Sequence, residues 1–168
     1  MRKEAADVIC TFTGHRPERL PWGADETDER CMALKFLIAQ AVGQAYDDGF
    51  REFLCGMARG CDFYFAQAVL DLRCVHPEVR LTAMVPCPSQ ADGWDAAQRA
   101  RHAALCAQAD EVCVFEPAYS GGCMLRRNRA MVDAARRVIT VYDGGEGGTA
   151  YTVRYARQTG RQIVALWQ

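Results

Sequence analysis

The chain has 168 residues, half of them hydrophobic and about a quarter charged, with a net charge of −1. That is the length for one domain with a full core, and the charge gives no electrostatic reason to expect nonspecific binding to a polyanion. The nine cysteines are odd in number and include no Cys-x-x-Cys pair, and Met1–Cys10 carries Glu4 and Asp7 where a signal peptide needs an apolar run. The reading is a reduced, cytoplasmic protein without disulfides, metal, cofactor or membrane span.

Val8–Thr13 is a short apolar, β-branched run, expected as a buried strand ending in Thr13-Gly14-His15-Arg16-Pro17. Thr27 or Asp28 can cap the next helix, whose stripe Leu34, Ile38, Ala41 and Ala45 is spaced four, three and four. Phe50–Cys55 is the second strand. It runs into Gly56-Met57-Ala58-Arg59-Gly60-Cys61-Asp62, where Asp62 is placed to cap a helix over 63–73 that is apolar nearly all round. Val79–Val85 is the third strand, followed by an alanine-rich helix over 95–109. Glu111–Phe115, a loop to Gly122 and a helix over 123–135 come next. Arg137–Tyr142 is the fifth strand, and Asp143–Gly148 a glycine-rich loop. Thr149 can cap a helix to Gln158, with Gly160 as its stop, and Gln162–Trp167 is a sixth strand. Alternating elements with continuously apolar strands predict an α/β fold: a mainly parallel sheet of about six strands, covered on both faces, in one domain over 1–168.

In such a sheet, ligands bind beyond the carboxyl ends of the strands, where the strand order reverses. Four loops fall there. They contribute Thr13, Gly14, His15 and Arg16; Gly56, Arg59, Gly60 and Asp62; Ser120, Gly121 and Gly122; and Gly144, Gly145, Gly147, Gly148 and Thr149. Helix N-termini offer unpaired N–H groups and partial positive charge, and glycine lets a phosphate approach closely. One such loop is equally a plain turn; several on one edge point to an anionic ligand.

Asn128 shares a helical face with Met124, Met131 and Ala135, so a polar side chain interrupts an apolar stripe. Burial there demands a partner, either a backbone carbonyl or a ligand. Arg127 lies beside the stripe and reaches the same edge. Arg126, Arg129, Arg136 and Arg137 read as solvated. His15 can contact a phosphate or move a proton, or be an ordinary loop histidine. Asp62 reads first as a helix cap. Asp143 and Glu146 can touch a ribose hydroxyl or be solvated turn carboxylates. Cys61 and Cys123 fall at helix starts, where a thiol pKa can drop or a small residue can simply fit a turn.

Taken together, these motifs carry a family resemblance. Gly56-Met-Ala-Arg-Gly-Cys-Asp62 after a strand resembles the glycine-rich motif of the DprA/Smf proteins. Arg127-Asn-Arg-Ala-Met131, a strand, and Gly-Gly-Thr149 resemble the LOG nucleoside-monophosphate phosphoribohydrolases. With Thr13-Gly-His-Arg-Pro17, the full length is similar to the YpsA branch of the SLOG superfamily. The resemblance implies a Rossmann-like three-layer αβα domain that binds a nucleotide or nucleotide-derived ligand, and it makes a homodimer plausible. In the hydrolase members an Arg and a Glu act on the N-glycosidic bond. Arg127 matches the Arg; Thr152 stands where the Glu falls, in a loop one residue longer. A hydroxyl cannot replace a carboxylate as acid, base or oxocarbenium stabiliser, which leaves Arg127 and Glu146 as catalytic candidates. The expected function is a nucleotide-binding sensor or regulatory domain. The alternatives are a phosphoribohydrolase of nucleoside 5′-monophosphates and, against the net charge and the lack of a basic strip interleaved with aromatics, a binder of single-stranded DNA.

Overall fold

The structure is a computed structural model, and it describes residues 8–167. Six strands form one parallel sheet: β1 (Ile9–Gly14), β2 (Glu52–Cys55), β3 (Arg80–Val85), β4 (Glu111–Val114), β5 (Arg137–Val141) and β6 (Gln162–Ala165). Their spatial order is β4-β3-β2-β1-β5-β6. Five α-helices connect them: α1 (Glu29–Asp47), α2 (Cys61–Val75), α3 (Ala96–Gln108), α4 (Cys123–Ala134) and α5 (Gly148–Gln158). A short 3-10 turn, Pro17–Arg19, follows β1.

Helices α1, α2 and α3 cover one face, where the main core gathers Phe12, Ile38, Phe53, Phe65, Leu81 and Leu105. Helices α4 and α5 cover the other, through Met131 against Leu54 and Met84, and Val132 and Ala156 against Val138. This is a three-layer Rossmann-like sandwich. The period-2 alternation of the strands decides which side chains go where. Cys10 and Phe12 point into the main core. Between them Thr11, with one neighbour's carbonyl in reach, donates its hydroxyl to the Leu54 carbonyl at 3.0 Å. The covering thins at one edge: Val112 and Val114 of β4 are 46% and 48% exposed, so the apolar run there overstates burial.

Several local expectations change. Asp28, not Thr27, caps α1, accepting the Arg30 N–H at 2.9 Å; Thr27 bonds Asp25 instead. Helix α2 starts two residues before its expected first residue. Gly60 precedes it at φ +83°, so Asp62 lies inside the helix and caps nothing. Likewise α5 starts at Gly148 after Gly147 at φ +135°, and Thr149 is within it. Both starts use a conformation that an L side chain resists. Arg137 is not solvated: it is 7% exposed, bonding Gln162 at 2.6 Å and Asp48 at 2.7 Å. Cys61 sits at a helix start, yet burial pushes its thiol well up rather than down.

Candidate functional site

Strands β1 and β5 are neighbours, but the chain leaves β1 for the α1 face and β5 for the α5 face. Their outgoing loops therefore part, and a crevice opens between them at the strand carboxyl ends. A cavity of about 520 Å³ occupies it, within the usual range for small-ligand sites. Its wall takes residues from the end of β1, the starts of α2 and α5, and the first turns of α4.

Arg127 of α4 forms the floor. It is 3% exposed and its guanidinium is spread over neutral acceptors. Nη1 donates to the Gly56 carbonyl and, at 3.0 Å, to the Met84 carbonyl; Nε donates to Asn128 Oδ1 at 2.8 Å. No carboxylate lies within 4 Å among the described residues. Burial accordingly lowers its pKa, with Asp62 pulling the other way. The charge is held by dipoles and not cancelled by an ion.

Asp62 stands on the same cavity from the first turn of α2 and is 7% exposed. Its Oδ2 accepts the Ala58 N–H at 3.1 Å. Burial pushes its carboxyl up to about 6, against the pull of Arg127 and that N–H.

Asn128 is satisfied from within the protein. Its Oδ1 holds Arg127, and its Nδ2 donates to Thr152 Oγ1 at 3.1 Å, which donates onward to the Gly148 carbonyl at 2.8 Å. Its partners inside the protein are side chains and not the expected backbone carbonyl, and Asn128 also lines the cavity. Thr152 is 2% exposed, does not line the cavity and has its hydroxyl fully engaged.

His15 is 3% exposed. Burial lowers its pKa, so the neutral ring accepts the Asp143 N–H at Nε2, 3.1 Å away. It ties the β1 loop to the β5 loop and brings no positive charge. Asp143 lies beside it, its carboxyl held down by the Gly145 N–H at 2.8 Å. Arg19, which the sequence reading passed over, crosses the same gap: Nη1 donates to the Glu146 carbonyl and Nη2 lies 3.4 Å from Asp143 Oδ1.

Thus Thr13, Gly14, His15, Arg16, Asp62, Arg127, Asn128, Glu146, Gly147, Gly148 and Thr149 meet around one cavity. The other candidates do not line it. Gly56 lies behind Arg127, where an added Cβ would stand 2.9 Å from the guanidinium carbon. Arg59 turns away to Glu18 at 2.7 Å. Gly60 packs against the His15 carbonyl. Ser120, Gly121 and Gly122 form an exposed loop held by Arg126. Gly144 and Gly145 shape the loop without facing the cavity. The reading missed Phe12, Glu18, Arg19, Ala58, Met124, Leu125 and Met131. Met124 and Met131 were signalled by the α4 stripe; the others have no periodic signal.

An open parallel sheet with glycine loops at its switch point defines a Rossmann-like α/β class. Within it the chain belongs to the YspA SLOG family, whose model matches residues 10–164. Among relatives, a UPF0398 protein of Halalkalibacterium halodurans is 24% identical over 92% of this chain and 82% of its own length. The SPbeta prophage-derived protein YoqJ of Bacillus subtilis is 28% identical over 68% and 75%. The UPF0398 protein YpsA of Bacillus subtilis is 23% identical over 84% and 79%. Among solved structures, DNA processing protein A from Helicobacter pylori, described for its single-stranded DNA binding mode, aligns over 98% of this chain and 66% of its own, at a TM-score of 0.65 and 14% identity. That likeness is one of fold. Among the described residues no helix is long and apolar enough to cross a membrane, and no group of three His, Cys, Asp or Glu side chains gathers to hold a metal.

Proposed function

We propose that the chain, acting over 1–168 as one SLOG domain, binds a nucleotide or nucleotide-derived ligand in the β1/β5 cavity as a cytoplasmic sensor or regulatory domain. The observation that carries this is one of charge. The α5 N-terminus, with no side-chain cap and no acidic residue in its first turn, opens on the same cavity as buried Arg127 and exposed Arg16. Unpaired N–H groups, a helix dipole and a guanidinium with no carboxylate in contact all line one cavity. Met124 and Leu125, half-buried on the same cavity, supply an apolar wall for a base. Nine free thiols among the described residues support a reducing compartment.

A thermal-shift panel of nucleoside mono-, di- and triphosphates, NAD, ADP-ribose and cyclic nucleotides tests the reading. A ligand at a hundredfold excess over its Kd stabilises by about 2.7 kcal/mol. Arg127→Lys keeps a charge but loses the fork that spans its acceptors, and the shift should fall at least by half. A flat panel rejects the proposal.

Turnover has less support. Thr152 lies off the cavity, and Glu146 offers an exposed carboxylate only at the rim. Chromatography of the same mixtures for released base would reinstate hydrolysis. The fold neighbour that binds single-stranded DNA supports a second reading, tested by fluorescence anisotropy with a labelled oligonucleotide at 50 and 200 mM salt. Binding that persists at the higher salt favours it.

A further inference from the structure

Asp62 has half of its carboxylate accounted for. Oδ2 accepts the Ala58 N–H, which fastens the 56–60 loop to α2. Oδ1 has no hydrogen bond among the described residues, and it is not one of the fully enclosed unpartnered atoms, so it opens on the cavity that Asp62 lines. No cationic nitrogen stands within 4 Å of it among those residues; Arg127 directs Nε to Asn128 and Nη1 to Gly56 and Met84. A carboxylate more than nine-tenths buried with one oxygen free is costly, and the cost is recovered when a donor arrives.

The rest of the cavity specifies the donor. Arg127, Arg16 and the α5 N–H groups all donate, which suits a phosphate. Of the carboxylates lining it, Asp62 is the buried one; Glu18 and Glu146 are exposed. A fully ionised phosphate bears no donor to offer it, and an exocyclic amine is present on only some bases. The hydroxyls of the sugar are carried by every ribonucleotide and sit next to the phosphate.

We propose that Asp62 is the ribose-reading residue of this site, its Oδ1 accepting a hydrogen bond from a 2′- or 3′-hydroxyl, so that the protein selects ribonucleotides over deoxyribonucleotides. This rests on the nucleotide reading above. It also sets the two readings against each other, since a DNA strand lacks the 2′-hydroxyl and has its 3′-oxygens esterified.

The test is calorimetry of the wild-type chain with AMP, 2′-deoxy-AMP and 3′-deoxy-AMP, and with the GMP, CMP and UMP pairs. It is repeated on Asp62→Asn, which keeps an acceptor for the Ala58 N–H. At least one deoxy form should bind about tenfold more weakly to the wild type. The difference should shrink to less than threefold in the variant, while AMP itself weakens. The wild-type comparison stands alone if the variant does not fold. Equal affinity for the ribo and both deoxy forms overturns the assignment of Asp62 and leaves the nucleotide reading intact. So does full discrimination retained by a folded Asp62→Asn. Absence of binding to every nucleotide overturns both.

Discussion

Asp62 and Arg127 are both buried and both ionisable, and they face one cavity without touching. Each would be better solvated elsewhere. The folded-state carboxyl of Asp62 is raised from 3.8 to about 6. Between those values the folded chain holds a proton that the unfolded chain has released. This group's contribution to stability therefore falls as pH rises through that window. Asp62→Asn removes the ionised form, and it should stabilise the unliganded protein at pH 7 by about 3 kcal/mol. The gain should vanish near pH 4. A denaturant titration at both pH values checks this; a variant less stable at pH 7 would mean that Asp62 is needed to offset the Arg127 charge. A residue that weakens the fold where it lines a cavity is what a binding site produces. His15 acts in the opposite sense. Its pKa lies below 6.5 in the fold because burial disfavours the charged ring. The unfolded chain takes up that proton first, so this contribution is present above 6.5 and lost as pH falls below it. His15→Gln, which keeps an acceptor for the Asp143 N–H, should flatten the acid limb of stability between pH 6.5 and 5, followed by thermal melts across that range.

Among the elements, the loops are set by single close approaches. Gly56 is flat against the Arg127 guanidinium, so Gly56→Ala forces a buried charged group off its acceptors. The expected cost is about 1–3 kcal/mol, read by chemical denaturation, together with loss of any ligand shift. The Arg19 side chain spans from the 3-10 turn to the Asp143–Gly148 loop. Arg19→Ala should leave global stability within about 0.5 kcal/mol but raise amide exchange at Gly144–Gly147 severalfold. Unchanged exchange would mean that the His15–Asp143 link holds the loop alone. The sequence showed each strand to within two or three residues, because buried parallel strands are contiguous apolar runs between glycine or proline. It also placed Arg127 and Asn128 on the site helix, because a polar residue on an apolar stripe stands out. It misassigned the starts of α2 and α5, since Asp and Thr are good caps in general while the actual geometry needed glycine at positive φ. Arg19 was illegible: its partners are 124 and 127 residues away, and no local pattern marks a side chain that works across a gap.

At the scale of the molecule, strand order is what composition and periodicity could not supply. The alternating elements require a parallel sheet, but placing β5 beside β1 depends on pairings such as Phe12 with Ile139. That one adjacency creates the crevice. It also explains why four candidate loops, all at strand ends, do not all meet. The loop after β4, holding Ser120 to Gly122, starts from the far edge of the sheet. Only α4, returning across the sheet, brings Arg127 to the centre.

The fixing of Arg127 before any ligand arrives has a consequence in time. Its rotamer is set by three acceptors on three separate segments, β3, α4 and the loop after β2. The entropy of ordering that side chain is therefore lost during folding and not during association. Capture of an anion at this floor should follow single-step kinetics, with an observed rate linear in ligand concentration. The lifetime of the complex, and not the speed of encounter, should then separate one ligand from another.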